Sequence, residues 1–138
     1  MTRILWAEDG LDDQYLIKHA LSQLEDVPKI DFVEDGAQAL KALAKGHPDL
    51  VVLDINMPVL DGMETLRRLR EDDATKELPV VVFSTGREEK AVAVSKQLGV
   101  LEYIQKPFHF NEFTGAVSKI LAHARAGKAK GAAAKKKA

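Results

Sequence analysis

Apolar and polar positions along the chain change period several times, and the changes predict alternating strands and helices. Ile4 to Ala7 is a short apolar run that ends in Glu8-Asp9-Gly10. Leu16, Ile17, Ala20, Leu21 and Leu24 then recur at helical spacing, with Asp12 or Asp13 as the expected N-cap and Pro28 beyond the end. Ile30 to Val33 predicts a second strand, and Asp35-Gly36 opens a helix carrying Ala39, Leu40 and Leu43 that stops at Gly46-His47-Pro48. Leu50 to Leu53 is apolar without alternation, as in a strand covered on both faces. After Met57-Pro58 and Gly62, Met63 to Leu69 predicts a helix with Leu66 and Leu69 inward and Arg67, Arg68 and Arg70 outward. Val80 to Phe83 predicts a fourth strand, Glu88 to Leu98 a helix, and Glu102 to Ile104 a fifth strand. The last helix is expected from about Asn111 to about Ala124.

Five strand–helix units with short connections predict an α/β fold, a doubly wound five-stranded parallel sheet with helices on both faces. In such sheets ligands bind beyond the carboxyl ends of the strands. The polar residues fall at those ends. Glu8 and Asp9 follow the first strand, Asp54 closes the third, Ser84 follows the fourth and Lys106 follows the fifth.

The chain has 138 residues, room for one domain. It has no cysteine, so disulfides and thiolate metal sites are excluded. No apolar run reaches the roughly 20 residues of a membrane span, and no signal-peptide pattern opens the chain, so a cytoplasmic location is expected. The net charge of −1 conceals an acidic body. Residues 1–121 hold all 21 acids and 14 Lys and Arg, a balance of −7. A single-domain body over 1–124 and a basic, disordered Ala/Lys/Gly tail over 125–138 are expected.

Charge directs the chemistry. Two unit charges about 5 Å apart repel by roughly 3 kcal/mol at an effective dielectric near 20. Three carboxylates in one crevice therefore call for a hard divalent cation, and Mg²⁺ suits oxygen donors. Lys106 adds a compact ammonium and Ser84 a hydroxyl donor. An Asp nucleophile in that company suits phosphoryl acceptance, which needs positioning and neutralised charge above all.

The acidic pair Glu8-Asp9, the D-x-x-M-P-x-x-D-G block from Asp54 to Gly62, Ser84 and the Lys106-Pro107 pair, in that order, resemble the receiver domains of two-component response regulators. The finer likeness is to small single-domain, chemotaxis-regulator-like proteins, including those associated with bacteriophytochromes. The resemblance implies the flavodoxin-like strand order 2-1-3-4-5. It also implies phosphorylation of Asp54, with Mg²⁺, by a sensor histidine kinase or phosphotransfer protein. Asp9 and Asp54 would ligate the metal by carboxylate, Glu8 through water and Asn56 through its backbone carbonyl. Ser84 and Tyr103 would form a switch pair, and the Lys106–Pro107 bond would be cis.

Two departures stand out. Gly10 occupies a position where many relatives carry a third acid, and Ser84 replaces the commoner Thr. The expected protein is a stand-alone regulator and no enzyme, a monomer or weak homodimer that signals through an unknown protein target. Specific nucleic-acid and membrane partners are not expected. An aspartyl-phosphate hydrolase is disfavoured because Asn56 lacks the acid such enzymes place two residues after the nucleophile. A tail-driven nucleic-acid protein is the third alternative. Trp6 is read as core, and the four histidines share no face.

Overall fold

A computed structural model describes residues 2–137, with side-chain surroundings given through residue 127. Five strands, β1 (Arg3–Ala7), β2 (Lys29–Val33), β3 (Leu50–Leu53), β4 (Val80–Ser84) and β5 (Glu102–Gln105), form one parallel sheet in the order β2-β1-β3-β4-β5. Between and after them run α1 (Leu11–Ser22), α2 (Gly36–Leu43), α3 (Gly62–Glu71), α4 (Glu89–Gln97) and α5 (Phe113–Lys137). The expected flavodoxin-like fold is what is observed.

Strand side chains alternate between two cores. Ile4 and Trp6 of β1, Leu50 and Val52 of β3, and Val81 and Phe83 of β4 face α1 and α5. Leu5, Ala7, Val51, Leu53 and Val80 face α2 and α3. Because both faces are covered, β3 is buried at every position, and its sequence reads as an unbroken apolar run. Trp6 is core as expected, stacked on Phe32 and meeting Phe83 edge-on. Among the described residues no helix is long and apolar enough to cross a membrane.

Four expectations need correction. The N-cap of α1 is Gly10, and neither Asp12 nor Asp13 caps the helix. Arg70 is not an outward residue. Its guanidinium reaches the carbonyls of Leu98 (2.6 Å), Leu78 (2.7 Å) and Lys76 (3.0 Å). Every peptide bond among the described residues is trans, so the cis Lys106–Pro107 bond is not observed. Trans is the form that an X–Pro bond favours by about 0.5–1 kcal/mol. Finally, the backbone of α5 is helical to Lys137, beyond the expected end near Ala124, because Ala and Lys are strong helix formers even without an apolar face. The surroundings of the 128–138 side chains, and with them the expectation of an unpacked tail, lie outside the described residues.

Candidate functional site

Backbone hydrogen bonds bring the strand ends level. Asp54 N–H donates to Ala7 O (3.2 Å), Glu8 N–H to Val33 O (2.9 Å) and Lys106 N–H to Ser84 O (2.8 Å). Residues just past β1, β3 and β5 and the last residue of β4 therefore meet in one crevice. Gly62 closes its floor: a Cβ there would stand 2.0 Å from the Asp54 carbonyl oxygen, so only glycine allows this approach. Asp61 caps α3 through Glu64 N–H at 2.8 Å, which sets the exit of the loop after Asp54.

Asp54 is 6% exposed and held from three sides. Its Oδ1 accepts from the Ser84 hydroxyl (2.9 Å) and the Asn56 backbone N–H (3.0 Å). Its Oδ2 accepts from Lys106 Nζ at 2.7 Å. The buried ammonium also pairs with Glu8 Oε1 and, at 2.8 Å, with Asp13 Oδ2. Burial alone would lower the Lys106 pKa, but its interactions with the carboxylates of Asp13, Asp54 and Glu8 outweigh it and hold the ammonium charged. Burial pushes the Glu8 carboxyl up to about 7, against the pull of Lys106. Glu8 Oε2 accepts from Gly10 N–H at 3.1 Å, whereas Oε1 is buried and has no well-aligned hydrogen bond.

The carboxylates that lie within 4.8 Å of one another are those of Glu8, Asp13 and Asp54. Hard oxygen donors with a buried, poorly satisfied carboxylate oxygen among them fit a divalent cation. Asp9 is exposed at the rim and does not join this set. Asn56 contributes its amide to Asp54. Tyr103 is buried, with its hydroxyl donating to the Gly86 carbonyl, and burial raises its phenol pKa.

The residue missed by sequence reasoning is Asp13. The signal was available: Asp13 precedes Ile17 and Ala20, the buried residues of α1, by four and seven positions. It therefore continues the inward stripe to the end of the helix nearest the crevice.

Comparison with known proteins places this geometry. The response regulator receiver domain family matches residues 4–118. Sporulation initiation phosphotransferase F of Bacillus subtilis (strain 168) is 34% identical over 113 residues, 80% of this chain and 90% of that protein. The phosphorylated cyanobacterial phytochrome response regulator RcpA shares 32% identity at a TM-score of 0.79, covering 86% of this chain and 90% of its own. The Mn²⁺-bound response regulator Rcp1 matches at 28% identity and the same TM-score, 0.79, over 87% of this chain and 91% of its own. Some relatives are longer. The chain spans 34% of a Trichodesmium erythraeum protein-glutamate methylesterase/protein-glutamine glutaminase to which it is 33% identical.

Proposed function

This chain belongs to the response regulator receiver domain family, and on that premise we propose that Asp54 accepts a phosphoryl group from a histidine kinase or phosphotransfer protein. The observation that carries this reading is the grip on Asp54. One buried carboxylate at the mouth of the crevice has an ammonium, a hydroxyl and a backbone N–H directed at its two oxygens. In the transfer, an Asp54 oxygen forms a bond to phosphorus while the donor's P–N bond breaks and its electron pair returns to the imidazole. Lys106 and Ser84 are the donors for the charge that the arriving phosphoryl oxygens carry.

Glu8 and Asp54, with Asp9 from the rim and the Asn56 carbonyl, are the proposed holders of Mg²⁺. Bound there, the ion would neutralise charge between the carboxylates and the phosphoryl oxygens. The surface around the crevice suits a protein donor. Leu11, Tyr15, Val59, Phe108 and Phe110, all on segments next to the strand ends, are exposed. His19 lies between Tyr15 and Phe110, at centroid distances of 6.4 and 5.1 Å. Grouped apolar exposure of this kind marks interaction surfaces.

For the output, Ser84 and Tyr103 are the proposed switch pair. The described form has Ser84 on Asp54 and Tyr103 buried. A phosphoryl group would favour this form by its added hydrogen bond to Ser84, and it can shift the equilibrium only by that difference. The test is acetyl phosphate with Mg²⁺, followed by intact mass and peptide mapping. One phosphoryl adduct is expected on the wild type and none on Asp54→Asn. A label that survives in that variant overturns the assignment.

A further inference from the structure

The Lys106 ammonium has three carboxylate partners: it donates hydrogen bonds to Asp13 and Asp54 and ion-pairs with Glu8. The partners differ in kind. Glu8 and Asp54 follow strands, have side chains 1% and 8% exposed, and accept other hydrogen bonds from Gly10, Ser84 and Asn56. Asp13 is on α1, its side chain is 31% exposed, and Lys106 is its one hydrogen-bond and ion-pair partner among the described residues. The helix gains no cap from it, since that place is taken by Gly10.

We infer that Asp13 is a positioning residue for Lys106: it retains the ammonium on the α1 side when a divalent cation draws on Glu8 and Asp54. This rests on the reading that a cation binds the crevice. A cation there uses oxygens that Lys106 already holds, and it repels the ammonium. A buried ammonium left without a partner is costly, so its displacement would oppose cation entry. Asp13 supplies a partner that remains. It therefore favours cation binding through Lys106, without being a ligand itself.

A double-substitution cycle separates the two roles. Mn²⁺ and Mg²⁺ affinities are measured by calorimetry for the wild type, Asp13→Asn, Lys106→Met and the double variant. Asp13→Asn is expected to weaken binding about tenfold with Lys106 present, the loss of one charge-assisted hydrogen bond. In Lys106→Met the same substitution should cost less than about threefold, the residue of an unscreened nearby charge. An equal or larger loss in Lys106→Met makes Asp13 a ligand and overturns the inference.

Should Lys106→Met not fold, the ammonium itself decides. In Mg²⁺-saturated protein the Lys106 ammonium protons should remain protected from exchange and visible by NMR, and should vanish in Asp13→Asn. Protection that survives in Asp13→Asn refutes the positioning role. A wild type that binds neither cation fails the underlying reading as well, which the additive result would leave intact.

Discussion

Glu8 is the residue on which the electrostatics of the crevice turn. Its pKa is raised by burial from 4.5 to about 7, so the folded chain binds this proton more tightly than the unfolded chain. Between those values the folded state holds more protons, and stability falls as pH rises. In cation-free protein the melting temperature should therefore decline from about pH 5 to about pH 7.5. Glu8→Gln should remove that decline and melt higher than the wild type at pH 8, where the wild-type carboxylate is charged. Thermal melts in the presence of a chelator measure both. Glu102 does not confuse the window. Burial opposes its ionisation, but hydrogen bonds from His123 and Lys119 prevail and lower its pKa, so its contribution is lost only as pH falls below the ordinary carboxylate range.

Between elements, Arg70 is the clearest cross-tie. From α3 it donates to the carbonyls of Leu98, at the end of α4, and of Leu78, just ahead of β4. Burial lowers its pKa without removing its charge. Arg70→Met keeps much of the apolar stem but leaves those carbonyls without their donor. It should cost about 2 kcal/mol, and lower the melting temperature by roughly 5–10 °C, with amide exchange rising first at the end of α4. An unchanged melting temperature would mean that water replaces the guanidinium without loss. Arg70 and Asp13 show where the sequence was legible and where it was not. Strand and helix positions followed from apolar period, because burial on a sheet or one helix face repeats. A charged side chain can share that repeat without showing which partner it meets. Arg70 adjoins the inward Leu69 and Asp13 lies on the stripe of Ile17, yet their partners come from segments far along the chain.

For the whole molecule, the strand order was legible only through the family resemblance, whereas the meeting of Glu8, Asp54, Ser84 and Lys106 followed from the rule that ligands gather at carboxyl ends of parallel strands. The trans bond before Pro107 and the helical reach of α5 did not, since neither leaves a periodic mark. A cation that binds only the assembled crevice should stabilise the entire fold. At ten times its dissociation constant, Mg²⁺ should add about 1.4 kcal/mol, a rise of roughly 3–6 °C in melting temperature that a chelator reverses. The rise should shrink in Asp9→Asn, and an equal rise there would remove Asp9 from the ligand set. The ion pair between Asp13 and Lys106 spans 93 residues of sequence. On the ribosome, at about 5–20 residues per second, Asp13 thus emerges roughly 5–20 s before its counter-ion, and Asp54, 52 residues ahead of Lys106, roughly 3–10 s before it. Until then the nascent chain carries a self-repelling trio that no early docking of β1 on β3 can neutralise, so the crevice closes late in synthesis, when β5 arrives.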